Sequence, residues 1–153
     1  MARPSSIQCR SCGHVPPSFT VQYCEECFGP IDVVPDPPIA IGSELRDRIE
    51  AGPASMWRYR DLLPFAEPPG AADVGMTPLV AAPSLGDALG VTDLWLKDDT
   101  ANPSGSFKDR VVAAALGRAV AEGSTVLAAA STGNLAHALA GAAARAGLEA
   151  VVL

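Results

Sequence analysis

Apolar and polar positions follow a regular order from residue 93 to the last residue of the sequence. Three short apolar runs are typical of strands: residues 93–97, 125–130 and 150–153. Two Ala-rich segments have helical spacing: residues 107–122 and 135–146. Gly123 and Gly147 follow these segments as stop signals, and Ser104 or Ser106 can cap the first of them. The pattern predicts a β-α-β-α-β order, an α/β fold with a parallel sheet and helices on its faces.

The first half of the chain is less regular. Thirteen of the 14 prolines lie in residues 1–83. Residues 43–50 and 56–63 have the spacing of short helices, which Gly-Pro and Pro respectively terminate. The segment 35–42 is rich in proline and predicts an extended linker. We therefore predict three parts: a cysteine module at 1–34, a linker with short helices at 35–75, and an incomplete α/β domain at 76–153.

Composition and charge exclude several classes of protein. The chain is 48% apolar and only 18% charged, with a formal net charge of −6 and 5% aromatic residues. Nucleic-acid binding is not expected of an acidic chain with so few stacking side chains. The longest uncharged stretch, 123–144, contains Gly, Ser, Thr, Asn and His, which does not suit a membrane span. No signal peptide begins the sequence, so we expect a cytoplasmic protein without membrane contact.

Four cysteines form two Cys-x-x-Cys pairs in the first part of the chain: Cys9, Cys12, Cys24 and Cys27. Each pair can present two thiolates from one turn, and two such turns complete a tetrahedral set of four sulfurs, which suits zinc. Gly13 follows the first pair and suits a tight turn. Iron, two disulfides or four free thiols are the alternatives, although disulfides are rare in the cytosol. We interpret the module as a structural zinc ribbon.

Two polar turns of the predicted α/β part carry candidate chemistry. The first, Asn-Pro-Ser-Gly-Ser-Phe-Lys-Asp-Arg at 102–110, places Lys108 in the first turn of a helix. The positive end of the helix dipole favours the neutral form of an amine, the nucleophilic form that a Schiff base requires. A solvated surface lysine is the alternative. The second turn contains Ser131, Thr132, Gly133 and Asn134, and offers hydroxyls and helix-start amides to a carboxylate. Simple N-capping by these residues is the alternative.

Together, the 102–110 segment and Ala-Ser-Thr-Gly-Asn-Leu-Ala at 130–136 resemble the pyridoxal-phosphate enzymes of the tryptophan-synthase-β fold, fold type II. Within them the chain is most similar to the threonine synthase family. The segments Met-Thr-Pro-Leu-Val at 76–80 and Leu-Lys-Asp-Asp at 96–99 support the resemblance, as does the cysteine module, which some threonine synthases carry.

The resemblance implies a role for each matching residue. Lys108 matches the lysine that holds pyridoxal phosphate covalently and shuttles protons, and Phe107 matches the residue that packs near the cofactor ring. Asn134 matches the asparagine that hydrogen-bonds the cofactor 3′-oxygen. Ser131, Thr132 and Gly133 match the loop that binds the α-carboxylate of an amino-acid substrate. The implied reaction converts O-phosphohomoserine into threonine and phosphate, and the family implies a possible homodimer.

The sequence also departs from the family pattern. Gly75-Met76 precedes Thr77 where the family has Gly-Asn or Gly-Gly, and no downstream Gly-rich loop for the cofactor phosphate is present. We therefore expect an amino-terminal portion that binds pyridoxal phosphate weakly and turns over poorly or not at all. Two alternatives stay open. One is a related enzyme such as cysteate synthase, cysteine synthase or threonine dehydratase, and the other is a truncated, zinc-bearing pseudoenzyme.

Overall fold

The computed structural model describes residues 5–18 and 21–153, so residues 1–4 and 19–20 of the predicted cysteine module lie outside the described part. The chain forms two compact units. The first comprises 1–52 and 59–66, and the second comprises 53–58 and 67–153. The predicted three-part division stays a prediction, because these units describe compactness and not the role of each segment.

The first unit is built on a two-stranded antiparallel sheet. Strand β1 (Ser5–Cys9) pairs with β2 (Ile31–Pro35), with Cys9 opposite Ile31. Helix α1 (Ser43–Glu50) follows and has the predicted bounds. The second predicted helix is a 3₁₀ segment, Met56–Leu62, that bends at Tyr59, and its residues 56–58 belong to the second unit. The two cysteine pairs therefore lie on the connection between β1 and β2 and at the end of β1 itself.

The second unit begins with a strand–helix–strand segment. Strand β3 (Leu79–Ala81) leads through helix α2 (Pro83–Leu89) to strand β4 (Trp95–Lys97), and the two strands pair antiparallel. Neither β3 nor α2 was expected from the apolar pattern. The signal for α2 is its punctuation, since Pro83 stands at the first helical position and Gly90 ends the helix with a φ of +66°.

A β-α-β unit with its own core completes the fold. After a 3₁₀ turn (Asp99–Ala101) come α3 (Lys108–Ala121), β5 (Val126–Ala129), α4 (Asn134–Ala146) and β6 (Glu149–Val152). Strands β5 and β6 pair in parallel. The core is the interface of the two helices, made of Val112, Leu116, Ala138, Leu139 and Ala142. Gly123 and Gly147 follow the helices with φ values of +73° and +71°, as expected of helix stop signals.

The α/β class is confirmed, but strand pairing differs from the expected three-stranded parallel order. The strand at 95–97 pairs antiparallel with β3, so the parallel arrangement is present only in β5 and β6 among the described residues. Strand pairing is a non-local property that the apolar run does not encode. The run at 125–130 was expected to be buried, yet only alternate residues of β5 face the core, among them Leu127 and Ala129.

The helix caps also differ from the expectation. Phe107 occupies the N-cap position of α3, and Gly133 occupies that of α4, with no side-chain cap bond at either. The Ser104 hydroxyl donates to Asp109, whereas the Ser106 hydroxyl oxygen accepts from the amide of Lys108, the first residue of α3. Among the described residues, none of the helices combines the length and apolar character that crossing a bilayer requires.

Replacement of Leu116 by Ala tests the assignment of the core. Leu116 is 2% exposed, whereas Val111 on the same helix is 55% exposed. We expect Leu116→Ala to lower the free energy of unfolding by about 2–5 kcal/mol because it removes buried methyl groups and leaves a cavity. Val111→Ala should change it by less than about 0.5 kcal/mol. Denaturant titration followed by circular dichroism measures both, and equal effects would contradict the assigned core.

Candidate functional site

The two cysteine pairs adopt the same backbone geometry. In the first pair the Cys9 amide donates to the His14 carbonyl, and the Gly13 amide donates back to the Cys9 carbonyl. In the second pair the Cys24 amide donates to the Gly29 carbonyl, and the Phe28 amide donates back to the Cys24 carbonyl. The donor and acceptor positions are offset by the same number of residues in both turns. The chain thus presents two equivalent knuckles to one another.

The residue after the second cysteine has a positive φ in both knuckles. Gly13 has a φ of +77°, which glycine adopts without steric cost, and Phe28 occupies the matching position with a φ of +59°. Phe28 is 76% exposed and stacks on the ring of Tyr23, with 5.5 Å between centroids. In the sequence, Gly13 is recognisable as a turn residue, whereas Phe28 is not, because the second knuckle lacks the glycine.

The four thiol sulfurs converge on one point. All four lie within 4.8 Å of one another, and the Cys9–Cys27 and Cys12–Cys24 sulfur pairs are 3.5 and 3.6 Å apart. These separations are far longer than a disulfide bond, and all four cysteines are free thiols. A tetrahedral zinc ion bound at about 2.3 Å requires sulfur separations of about 3.8 Å, so the donor set fits zinc.

The thiols differ in acidity because their hydrogen bonds differ. The Cys12 amide is the main group that lowers the pKa of the Cys9 thiol, to about 6. The Gly29 amide lowers the pKa of Cys27, but the neighbouring Cys12 and Cys9 thiols together raise it to about 12. Cys9 and Cys24 are buried, while Cys12 and Cys27 are exposed. The cluster therefore has one side within the unit and one side open to solvent.

Lys108 is the first residue of α3 and lies at the edge of the second unit. Its side chain is half-buried, and its Nζ lies 4.6 Å from the centroid of the Phe107 ring, a cation–π contact. Its backbone amide donates a hydrogen bond to the Ser106 hydroxyl oxygen at 3.4 Å. Phe107 itself is 52% exposed. The two residues that the sequence assigned to the cofactor are therefore in contact and accessible.

The residues that follow Lys108 are anchored to different places. Asp109 is 3% exposed, and its Oδ2 accepts hydrogen bonds from the Ser104 amide at 2.8 Å and the Ser104 hydroxyl at 2.7 Å. Arg110 donates from Nη2 to Asp99 Oδ1 at 2.9 Å and to the Thr77 hydroxyl at 3.4 Å. Both residues belong to the 102–110 segment that carries the family resemblance, and their hydrogen bonds within the protein favour structural roles.

A polar network connects the start of α3 with the β3–β4 strand pair. The Thr77 hydroxyl donates to Asp99 Oδ1 at 2.6 Å, and the Lys97 amine donates to the Thr77 carbonyl. The Asn102 side chain is 4% exposed, accepts from the Gly75 amide and donates to the Asp99 carbonyl. Arg110 is the main cause of a lowered pKa at Asp99, followed by Thr77. The bonds of Asn102 to Gly75 and Asp99 were not predicted, because its neighbours in the sequence do not indicate that it is buried.

The backbone explains the departure at Met76. Met76 has a φ of +48°, a left-handed conformation that Gly and Asn adopt most readily, and these are the residues that the family pattern has there. The preceding Gly75 also has a positive φ, of +86°, and a Cβ at that position would lie 2.7 Å from Nη1 of Arg110. The turn keeps the left-handed geometry although it carries a methionine side chain that is 47% exposed.

The second predicted turn connects β5 to α4. The Ser131 amide donates to the Leu153 carbonyl at 3.1 Å, and the Ser131 hydroxyl oxygen accepts from the Gly133 amide at 3.3 Å. Thr132, Gly133 and Asn134 are exposed. Asn134 is the first residue of α4, so amides of the first helical turn lie beside the three exposed residues. Such a helix start can bind a carboxylate.

Both candidate segments precede helices of the same core. Val112 lies four residues after Lys108, and Ala138 lies four residues after Asn134, and both residues belong to the α3–α4 interface. Within the described residues, the Lys108 amine contacts the Phe107 ring, and the turn bonds to itself and to Leu153. The structure thus places the two segments in one unit without a direct side-chain bond between them.

Comparison with known proteins gives a consistent result. Residues 71–153 match the family model described as pyridoxal-phosphate dependent enzyme. Over 149 residues, 96% of this chain, the sequence is 36% identical to a threonine synthase of Methanosarcina acetivorans, of which it covers 36%. It is 32% identical to a threonine synthase of Methanocaldococcus jannaschii, with 95% of this chain and 36% of the relative covered. A threonine synthase of Mycobacterium leprae is 43% identical over 103 residues, 66% of this chain and 28% of the relative.

The Arg110–Asp99 pair predicts a defined loss of stability in acid. A pKa below the ordinary value of 3.8 means that ionised Asp99 stabilises the fold above that pH, and that this contribution is lost as the pH falls through the lowered pKa. We expect the thermal stability of the wild type to fall more steeply than that of Asp99→Asn between about pH 5 and about pH 2. Thermal melts followed by circular dichroism at each pH measure the difference.

The control is Asp87→Asn, which replaces an aspartate on α2 that lies outside this network. It should retain the full pH dependence of the wild type. An Asp99→Asn protein whose melting temperature follows the wild-type curve down to the lowest pH would contradict the importance of the pair.

Proposed function

The chain belongs to the pyridoxal-phosphate-dependent enzyme family, and from this we propose that it is the amino-terminal part of a threonine synthase that converts O-phosphohomoserine into threonine and phosphate. The chain spans about a third of the length of the curated relatives that it matches. The observation that carries the proposal is the position of Lys108, accessible at the start of α3 and within the segment that matches the family. The threonine synthase names of the relatives support the choice of reaction.

We propose that Lys108 binds pyridoxal phosphate covalently and then moves protons at the substrate carbons. When bound, the cofactor withdraws electrons from the substrate α-carbon and makes its proton acidic. The Lys108 amine, if held beside that carbon, would accept and return the proton. The half-buried position of Lys108 supports this role, because the amine is held against Phe107 yet remains within reach of a ligand.

The turn at 131–134 is proposed to bind the α-carboxylate of the substrate. Its three exposed residues and the unpaired amides at the start of α4 provide hydrogen-bond donors to an anion. The backbone of Ser131 is held in place by the hydrogen bond from its amide to the Leu153 carbonyl, which restricts the position of its hydroxyl. Asn134 is proposed to hydrogen-bond the 3′-oxygen of the cofactor, and its place as the first residue of α4 leaves its side chain exposed.

We further propose that this chain by itself binds pyridoxal phosphate weakly and turns over poorly. Fold-type II enzymes, as the sequence resemblance implies, place the loop for the cofactor phosphate downstream of the segments present here. The coverage of 36% of the relatives supports the absence of that loop from this sequence. The proposed contacts are the covalent anchor at Lys108, the ring of Phe107, Asn134 and a carboxylate-binding turn, and none of them would bind the cofactor phosphate.

The cysteine cluster is proposed to be a structural zinc site. Sulfur separations near those of a tetrahedral ion and the matched backbone geometry of the two knuckles support this assignment. A closed set of four cysteine ligands leaves no open position for substrate, so the ion would contribute to folding and not to the reaction.

Covalent trapping tests the proposed role of Lys108. The chain contains two lysines, Lys97 and Lys108, so the first serves as an internal reference. We expect borohydride treatment with pyridoxal phosphate to label Lys108 preferentially, because it lies in the assigned site, whereas the Lys97 amine donates a hydrogen bond to the Thr77 carbonyl. Lys108→Ala should lose this label, while Lys97→Arg should keep it. Peptide mass spectrometry quantifies both sites, and equal labelling of the two lysines in the wild type would contradict the proposal.

Zinc titration tests the cysteine cluster. We expect the wild type to bind one zinc ion per chain and to become more resistant to unfolding, because the ion binds the folded state. Cys24→Ser removes a buried ligand and should lose both effects, whereas Ser11→Ala alters the first knuckle without removing a ligand. Elemental analysis and thermal melts with and without a chelator measure the outcome. Zinc bound equally well by Cys24→Ser would contradict the four-cysteine site.

A further inference from the structure

The carboxylate of Asp109 is buried between the start of α3 and the loop before it. The residue is 3% exposed, and the two hydrogen bonds that its carboxylate accepts come from Ser104 and end on the same oxygen, Oδ2. A buried carboxylate is costly unless its oxygens are bonded. Here the donors are neutral and lie five residues earlier in the chain. The bonds therefore close a small loop from Ser104 to Asp109.

The closed loop contains the two residues that contact each other at the proposed cofactor site. Its inner side is formed by Asp109 and by Ser106, which is 7% exposed and whose hydroxyl oxygen faces the Lys108 amide. Its outer side presents Phe107 and Lys108. Gly105 provides the sharp change of direction with a φ of +76°. The hydrogen bonds on the inner side therefore fix the backbone positions of Phe107 and Lys108 on the outer side.

Arg110 does not share this restraint. Its guanidinium bonds to Asp99 and Thr77, although it follows Asp109 directly in the sequence. The two neighbouring charges thus have separate partners. Asp109 orders the loop, and Arg110 connects the helix to the strand pair. A substitution of Asp109 therefore removes none of the hydrogen bonds of the Arg110 guanidinium.

We propose that Asp109 is a positioning residue that fixes the 104–108 loop so that the Lys108 amine meets the cofactor aldehyde from one direction. The inference rests on the proposed function, since it concerns how Lys108 is presented to pyridoxal phosphate. Asp109 itself contacts neither cofactor nor substrate. Its effect passes through Ser104 and the loop backbone.

The test compares Asp109→Ala, Asp109→Asn and Ser104→Ala in the full chain. Each is treated with pyridoxal phosphate and borohydride, and the rates of labelling at Lys108 and Lys97 are measured by mass spectrometry. We expect Asp109→Ala to slow labelling at Lys108 by about tenfold, because misplacement of a reacting group by a fraction of an ångström has effects of this order. Labelling at Lys97 should not change. Ser104→Ala removes one of the two bonds and should have a smaller effect in the same direction.

Asp109→Asn distinguishes positioning from charge. Both bonds end on one carboxylate oxygen, and an amide oxygen in that place can accept both. We therefore expect this variant to label Lys108 within about threefold of the wild-type rate. The control, Glu122→Ala, removes an acid from the other end of the same helix, where it pairs with Arg118. It should leave labelling at both lysines unchanged.

Hydrogen exchange provides a readout that does not involve the cofactor. Faster exchange confined to the amides of 104–108 in Asp109→Ala supports the inference even where labelling is weak. Unchanged exchange there, or unchanged labelling of Lys108 in a folded Asp109→Ala protein, overturns it. A rise in Lys97 labelling together with a lost circular dichroism signal also overturns it, because the role is then general stability. Failure of the wild type to label Lys108 above Lys97 counts against the proposed function, and the exchange result then decides the inference alone.

Discussion

The hydrogen bonds between Arg110 and Asp99 are the interaction that joins two parts of the second unit, the α3–α4 core and the β3–β4 strand pair. The α3–α4 core is apolar and continuous, whereas the residues of β3 and β4 are exposed throughout. Arg110 joins the two by bonding Asp99 and Thr77 at the ends of the strand pair. Because Arg110 lies two residues after Lys108, the same bonds fix the helix start that carries the candidate amine. The Arg110–Asp99 pair therefore contributes both to the fold of the second unit and to the position of Lys108.

The elements that could be predicted from the sequence are those whose signals are local. The bounds of α1, the stop signals Gly123 and Gly147 and the two cysteine knuckles all depend on residues within a few positions of one another. The pairing of β4 with β3 depends on a partner that is some fifteen residues away, which the apolar run of β4 does not specify. Trp95 illustrates the consequence, since an aromatic in a strand suggests core packing, yet it is 55% exposed.

The residues of the candidate site stay predictions, and the bonds that support them were not predicted. Lys108 and the four cysteines were proposed from residue type and spacing, whereas the cofactor-binding role of Asn134 comes from the family resemblance. The supporting bonds were not recognised, because a buried Asn102 and an exposed asparagine look alike in sequence. Likewise Ser104 or Ser106 was expected to cap α3, whereas Ser104 bonds to Asp109 and Phe107 takes the cap position.

The left-handed turn at Gly75 and Met76 implies that neighbouring positions differ in mutational tolerance. Any side chain added at Gly75 would push against a guanidinium that is already committed to Asp99 and Thr77, and against the Met56 backbone. We therefore expect variants with a substitution at Gly75 to be lost from a library that is selected for folded protein. Met76 differs, because its side chain is 47% exposed and only its left-handed backbone restricts the residue type. A deep mutational scan of this turn would therefore show a residue that no side chain can replace beside one that favours Gly and Asn and disfavours β-branched residues.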